Sequence, residues 1–359
     1  MSSAIRKIIG IIAALVGAAL FLCLTVIAIF MYCNSPPIFS YDAAEGNDGL
    51  VIEQDNDQIR VRFEIRRGES ALSVGQRLEA AGLIRSLSFW QLLCRYEKET
   101  IKTGAYQIEV PASQMAIHRI LVSGKQMLLR VTIPEGLTLK KTAKLLEDAG
   151  ICPADEFLAA ALDPETAASY RIPGPGMEGY LYPDTYLFPP EYPAARVVRA
   201  MADNFFNRIG GIDEKAAAMP HDELNRLVIL ASIVEREYRI DDEAPVMAGV
   251  FFNRLNIGMA LQSCATVEYI ITEKQDKPHP EVLSSRDLEI RDPYNTYMRP
   301  GLPPGPISCP GAVALNAVFF PAKSNYLYFR LIDPCSGEHY FSATLDDHIK
   351  AGGLYVKGR

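Results

Sequence analysis

Several short motifs that would indicate a metal or redox site are missing from this chain. The 359 residues include seven cysteines but no C-x-x-C pair, and five histidines but no H-E-x-x-H spacing. The sequence therefore gives no support for a zinc knuckle, a disulfide framework or a metalloprotease site. No extended basic run follows residue 7 and the net charge is -7, which argues against a nucleic-acid-binding protein. We expect neither a metal nor another cofactor.

Charged residues are also missing from one long apolar run near the N-terminus. Residues 8–32 contain none, and a run of this length can cross about 30 Å of hydrocarbon. We predict a single transmembrane helix, because a cleavable signal peptide would have a shorter apolar core and a small-residue cleavage site. Arg6 and Lys7 precede the run and acidic residues follow it. The positive-inside rule therefore places residues 1–7 in the cytoplasm and the remainder outside.

An internal repeat follows a segment, residues 33–60, whose richness in Pro, Gly, Asp and Asn predicts a flexible linker. Residues 62–83 and 130–151 align without gaps. Each copy predicts a strand, a glycine turn and a helix, with Ser70 or Thr138 as the N-cap.

The patterns predict an α+β protein with several parts. Residues 61–130 fit a small β-α-α-β module that is similar to sugar-binding LysM modules, although a packing scaffold or spacer arm explains the pattern equally well. Residues 131–173 contain the second repeat copy and a connecting segment. A composition shift near residue 174 marks a larger domain of helices and strands, residues 174–359.

One glutamate occupies a position where a helix would normally place an apolar residue. Residues 222–238 predict a helix, and Glu235 lies seven positions after Val228, only about 20° from it around the helix axis. Burial near a helix C-terminus favours the protonated carboxyl, which is what a general acid requires. Glu237 is expected to point to water. The alternative is a structural glutamate neutralised by Arg254 or Arg291.

Amide and phenol side chains follow this helix, near predicted helix ends and loops. Asn253, Gln262, Asn295 and Tyr297 are the candidate substrate-binding residues, since sugars are bound through hydrogen bonds to amides and stacking on flat rings. In loops, such side chains more often satisfy backbone groups, and that alternative stays open for each of them.

Several segments resemble the endolytic murein transglycosylase family, which is also called YceG-like. The strongest motifs are residues 133–136 (IPEG), 178–186 (EGYLYPDTY), 231–237 (ASIVERE), 250–255 (VFFNRL), 258–263 (GMALQS), 294–297 (YNTY) and 301–307 (GLPPGPI). The resemblance implies that Glu235 is the catalytic acid. One position departs from the pattern, because Cys264-Ala265 stands where the family has Asp-Pro. If that aspartate helps to bind or orient the glycan, the change reduces or tunes activity. We favour the alternative that it caps the helix, a role that Ser263 can take over.

The resemblance implies a membrane-anchored enzyme of the cytoplasmic (inner) membrane with its catalytic domain in the periplasm. It would cleave the β-1,4 bond between N-acetylmuramic acid and N-acetylglucosamine within peptidoglycan glycan strands, without water, leaving 1,6-anhydro ends. Wall synthases, including penicillin-binding proteins, are the implied partners. Two alternatives remain. A hydrolytic muramidase would need a second carboxylate, for which Asp184, Glu237 and Asp292 are candidates, and a non-catalytic division scaffold would need none.

Overall fold

The computed structural model describes residues 3–39, 50–55, 58–97, 99–174, 176–213, 216 and 219–354. The chain forms two compact units, Met1–Leu128 and Leu129–Arg359. Residues 40–49 and 56–57 of the predicted linker lie outside the described residues.

The first unit combines one long apolar helix with a small α/β module. Its elements are α1 (Ser3–Asn34), β1 (Leu50–Asp55), β2 (Gln58–Ile65), α2 (Ala71–Ala80), α3 (Leu87–Tyr96), β3 (Gly104–Val110) and α4 (Gln114–Ser123). Within α1, Ile9–Asn34 is long and apolar enough to cross a membrane. The strands form an antiparallel sheet in the order β1-β2-β3, and its apolar side packs on the helices around Trp90 and Tyr106, which are fully buried.

This unit differs from the prediction at its beginning. The sequence predicts a flexible linker up to residue 60, whereas β1 pairs with β2 from Leu50 onward. The acidic and amide residues around β1 concealed a short strand whose only clear signal is the apolar Leu50–Ile52. The predicted order β-α-α-β is present as β2-α2-α3-β3. The likeness to LysM modules stays a prediction.

The second unit is mainly helical. Its elements are β4 (Leu129–Thr132), α5 (Leu139–Asp148), α6 (Ala154–Ala161), α7 (Pro164–Ser169), β5 (Thr185–Phe188), α8 (Ala194–Ile212), α9 (His221–Val234), α10 (Ala244–Asn256), α11 (Cys264–Tyr269), α12 (Ala312–Phe319), β6 (Tyr328–Asp333), β7 (Glu338–Ser342) and α13 (Leu345–Lys350). Strands β4 and β5 pair, as do β6 and β7, both antiparallel. One apolar core joins α5 to α12. The α+β prediction is confirmed at the level of a mixed structure with small antiparallel sheets.

The repeat forms the predicted strand, glycine turn and capped helix in both copies. Ser70 Oγ accepts the N–H of Ser73 at 3.2 Å, and Thr138 Oγ1 accepts the N–H of Lys141 at 3.3 Å. Gly82 and Gly150, which follow the two helices, have φ of 66° and 70°, the left-handed conformation that ends helices.

The second repeat copy belongs to the larger unit, not to a connecting segment. Its strand β4 pairs with β5, and the N–H of Ile133 donates to Asp184 O at 2.9 Å. The N–H of Gly136 donates to Cys309 O, also at 2.9 Å. The glycine turn of the second copy also lies beside Glu235, since a Cβ on Gly136 would be 3.5 Å from Glu235 Cγ. The glycine turn of the first copy belongs to the other unit.

Candidate active site

Glu235 lies at the C-terminal end of α9, next to a row of residues on this helix that face the core. Leu224, Val228 and Ala231 are each at most 5% exposed. Helix α9 ends at Val234, so Glu235 is the C-cap, and its N–H still donates to Ala231 O at 2.8 Å. The half-buried carboxyl is thereby fixed at the end of a core helix.

The two carboxyl oxygens of Glu235 have different partners. Oε2 accepts the backbone N–H of Gly311 at 2.9 Å, whereas Oε1 faces the Tyr238 hydroxyl at 3.5 Å. In a protonated carboxyl the oxygen that accepts an N–H is the carbonyl oxygen, so the proton belongs on Oε1. The geometry therefore orients the acid as well as holding it.

A buried clamp holds the segment that carries Gly311 against α9. Ser232 Oγ accepts the N–H of Ile307 at 3.0 Å, and Ser308 Oγ donates to Ser232 O at 3.0 Å. Ser232, Ile307 and Ser308 are all fully buried. Both hydrogen bonds are made to Ser232, in the turn of α9 just before Glu235. The clamp therefore fixes the Gly311 N–H relative to the Glu235 carboxyl.

The surroundings of Glu235 keep a large fraction of its carboxyl protonated at neutral pH. Burial raises the pKa of Glu235 to about 7, because a charge loses solvation inside the protein. The negative charge of Glu135 raises this pKa further, whereas the hydrogen bonds from Gly311 and Tyr238 lower it. A carboxyl with a pKa close to the working pH suits general acid and base catalysis.

Neither arginine considered as a neutralising partner contacts Glu235. Arg254 donates to Leu327 O and Leu261 O, each at 2.6 Å, and Arg291 is exposed. Among the residues that the structure describes, Glu235 has no ion pair within 4 Å. The structure therefore favours the proton-donor interpretation over the structural ion pair.

The prediction that the Glu237 side chain points to water is wrong. The Ser263 hydroxyl donates to its carboxylate, and burial raises the pKa of Glu237 to about 7. The prediction assumed that the helix continues to Tyr238. Because α9 ends at Val234, the helical spacing does not extend to residue 237, and the side chain turns toward the start of α11.

Two of the four candidate substrate-binding residues lie near this turn. Gln262 is exposed, and its φ of 51° is unusual for a residue other than glycine, a form of backbone strain found at functional sites. Its N–H donates to Thr296 O at 3.1 Å. The Tyr297 hydroxyl lies 3.1 Å from Cys264 Sγ. Gln262 and Tyr297 thus flank Ser263, the partner of Glu237.

The amides of the other two candidates are used by the protein itself. Asn253 donates to Ser324 O and Tyr326 O at 2.9 Å each. Asn295 is fully buried and donates to two backbone oxygens of the loop before it, at 2.8 and 2.9 Å. Both amide nitrogens therefore hold the loops around the site, and substrate binding by Asn253 and Asn295 stays a prediction.

The departure from the family pattern at Cys264-Ala265 also has a different consequence from the one expected. Ser263 occupies the N-cap position of α11 but makes no side-chain capping bond there, because its hydroxyl donates to Glu237. Ser263 therefore does not replace an aspartate cap. Cys264 is exposed and contacts Tyr297, so this position belongs to the surface of the site.

The three acidic residues considered as a second carboxylate all have partners. Asp184 pairs with Arg208 at 2.9 Å, Asp292 pairs with Lys274 at 2.5 Å, and Glu237 accepts from Ser263.

The carboxylate that the sequence analysis missed is Glu135. Glu135 is exposed. Its Oε1 lies so close to Gly311 that a Cβ added to this glycine would be only 1.9 Å from the oxygen. Glu135 therefore borders the same N–H that binds Glu235. Its membership of the IPEG motif is the signal that could have identified it.

Comparisons with known proteins agree with this geometry. The YceG-like family model matches residues 63–352. The endolytic murein transglycosylase of Bacillus subtilis is 28% identical over 86% of this chain and 88% of its own length. That of Streptococcus pneumoniae is also 28% identical, over 87% of this chain but only 61% of its own length. A crystal structure of a yceG-like protein from Listeria monocytogenes is 30% identical, with a TM-score of 0.54, and covers 81% of this chain and 98% of that one. The family match extends over most of the chain and includes Glu235, so this protein belongs to the YceG-like family.

Proposed function

We propose that this protein is a membrane-anchored endolytic murein transglycosylase. The observation that carries the proposal is Glu235, a carboxyl whose pKa is raised to about 7 and whose two oxygens are separately oriented. The names of the relatives from Bacillus subtilis and Streptococcus pneumoniae support the same activity. The substrate is the glycan of peptidoglycan, cleaved within the strand.

One carboxyl is sufficient for this reaction. Glu235 donates its proton from Oε1 to the glycosidic oxygen, and the bond from the muramic acid C1 to that oxygen breaks. The 6-hydroxyl oxygen of the same sugar then bonds to C1, and its proton passes to the Glu235 carboxylate. The product is a 1,6-anhydro ring and the enzyme regains its proton. Intramolecular attack replaces water, so proximity supplies what a second carboxylate would otherwise do.

The cellular arrangement is part of the same proposal. Ile9–Asn34 is the anchor, consistent with its length and hydropathy. Arg6 and Lys7 precede it, and by the positive-inside rule they support a start in the cytoplasm and a glycan-cleaving unit on the outer, periplasmic side of the cytoplasmic membrane. Membrane-bound wall synthases, which make the strands that such an enzyme would cut, are the proposed partners.

The test is digestion of uncrosslinked glycan strands by the full-length protein in detergent, followed by mass spectrometry of the products. Wild type should give anhydro ends. Glu235→Gln should reduce the rate by about 10²–10⁴-fold, because the amide cannot donate a proton. Products one water heavier, with reducing ends, would instead identify a hydrolase.

Glu237→Gln is the matched control, because that carboxyl has a similarly raised pKa and lies two residues away. It should retain far more activity than Glu235→Gln. Equal losses in the two variants, or no cleavage by wild type on strands that a known lytic enzyme digests, would contradict the assignment of Glu235.

A further inference from the structure

Helix α3 carries two apolar side chains, Leu92 and Tyr96, that the described residues of its unit leave uncovered. Leu92 is 58% exposed and Tyr96 is 87% exposed. At 100° per residue, Tyr96 lies about 20° and Leu92 about 60° from Phe89 around the helix. Phe89, Leu92 and Tyr96 thus form one stripe, called here the α3 stripe. Trp90 and Leu93, on the other side of Phe89, are buried in the core.

The α3 stripe begins where the membrane anchor ends. The Phe30 ring of α1 meets the Phe89 ring edge to face, with centroids 5.3 Å apart. About 20 residues of helix cross the hydrocarbon, so a span that starts at Ile9 leaves it near Ile29. Phe30 therefore lies at the outer boundary of the bilayer, and Phe89 lies beside it.

Two further contacts fix this junction. Asn34 Oδ1 accepts the N–H of Met115 at the start of α4, at 2.9 Å. The Arg85 guanidinium lies over the Tyr32 ring at 4.8 Å and donates to Pro36 O at 3.0 Å. Tyrosine and arginine at this depth are typical of the membrane–water boundary. The module is thus held at the end of the anchor by contacts within one unit.

Helix α3 does not pack along the part of the anchor before Phe30. The apolar side chains of α1 before Phe30 remain exposed, from 48% at Ile27 to 73% at Phe21. After Phe89 the α3 stripe is likewise exposed, at Leu92 and Tyr96. The next positions around the helix are polar, with Arg95 about 120° and Gln91 about 160° from Phe89. This order of apolar, cationic and polar residues is that of a helix lying in the surface of a bilayer.

We propose that the α3 stripe lies in the outer surface of the membrane, with Leu92 and Tyr96 in contact with lipid. The occupant of this face is the lipid bilayer itself. The proposal rests on the membrane anchorage proposed above and is independent of the glycan-cleaving activity. Its consequence is a second membrane contact that restricts how freely the module moves at the bilayer surface.

The test places tryptophans on two sides of α3 in the full-length protein. Tyr96→Trp puts the probe on the stripe, and Gln91→Trp puts it on the polar side of the same helix. Both are reconstituted in vesicles of phosphatidylcholine and phosphatidylglycerol, with and without bromine on the acyl chains near the headgroup. Trp90 is the only native tryptophan, so the wild-type signal is subtracted. Flotation with the vesicles checks insertion separately.

We expect the Tyr96→Trp signal to be quenched by brominated lipid at least about twofold more than that of Gln91→Trp, and to resist aqueous iodide. Adding Leu92→Asp to Tyr96→Trp should lift the stripe from the lipid and restore iodide quenching. Equal quenching of the two probes in vesicles that float with the protein, or full iodide access to residue 96, would overturn the proposal while leaving the anchor intact. Glycan cleavage by the same samples tests the enzyme independently.

Discussion

Glu235 and Glu237 are separated by two residues and have similarly raised pKa values, yet only one is suited to donate a proton to substrate. The Glu237 carboxylate is committed to Ser263, whereas Oε1 of Glu235 has a single distant partner, Tyr238 at 3.5 Å. The difference arises because α9 ends at Val234, just before both residues, so helical spacing does not determine where Glu237 points. A raised pKa is therefore insufficient to identify the acid, and the direction of the side chain decides.

The proton on Glu235 predicts the pH dependence of catalysis. A general acid must be protonated, so kcat/KM should fall above pH about 7, the pKa that burial gives this group. Glu135→Gln removes a nearby negative charge, so it should lower the pKa of Glu235 and move the alkaline limb to lower pH. Because Glu135 is exposed, we expect a shift of about half a pH unit or less, which salt reduces.

Tyr238→Phe should move the same limb in the opposite direction. The hydroxyl of Tyr238 stabilises the charged form of Glu235, so its removal should raise the pKa and extend activity to higher pH by a few tenths of a unit. The measurement is the pH profile of glycan cleavage at fixed ionic strength. Shifts of the same sign in Glu135→Gln and Tyr238→Phe would mean that the limb does not report Glu235.

At the scale of elements, the site depends on how the 307–311 segment is attached to α9. Ser232→Ala removes the hydroxyl that accepts the Ile307 N–H. Both residues are buried, so the N–H would be left without a partner. An unpaired buried group costs about 1–3 kcal/mol, so the free energy of unfolding should fall by that amount. Ser169→Ala, which removes an exposed hydrogen bond, should change it by less than about 0.5 kcal/mol. Equal effects in urea unfolding would show that the clamp does not contribute to stability.

Alanine substitution of two glycines with left-handed backbones distinguishes the cost of backbone strain from the cost of a steric clash. Gly136 (φ 74°) would place a Cβ 3.5 Å from Glu235 Cγ, an ordinary contact. Gly179 (φ 84°) would place it 2.5 Å from the Pro306 ring. Both alanine variants should lose about 1–2 kcal/mol from the left-handed conformation, and Gly179→Ala about 1–3 kcal/mol more from overpacking. Equal losses in denaturant unfolding would contradict the clash.

The elements that sequence predicted well are those fixed by local rules. Both repeat copies have N-caps and glycine turns where the residues require them. What sequence missed depends on distant contacts. The partner of Ser263 is Glu237, 26 residues away, and Glu135 reaches the site only because its turn packs against the segment before α12. The buried roles of Asn253 and Asn295 arise in the same way.

At the scale of the whole molecule, three half-buried carboxyls predict how stability varies with pH. Burial raises the pKa of Glu178 to about 8 and those of Glu235 and Glu237 to about 7, from 4.5. Since the folded state then binds more protons than the unfolded state between pH about 4.5 and 8, stability should fall as pH rises through that window. Asp184, whose pKa is lowered by hydrogen bonds and Arg208, acts oppositely at lower pH.

Glu178→Gln tests this balance, because Glu178 has the highest of the three pKa values. Its carboxylate accepts the N–H of Leu139 at the start of α5, at 3.2 Å from both oxygens, and a glutamine oxygen can accept the same bond without a charge. The variant should lose less stability than wild type between pH 5 and pH 8 in urea unfolding of the detergent-solubilised protein. Glu165→Gln, an exposed acidic residue in the first turn of α7, should keep the wild-type slope. Parallel curves for wild type and Glu178→Gln would mean that burial of Glu178 does not oppose its ionisation.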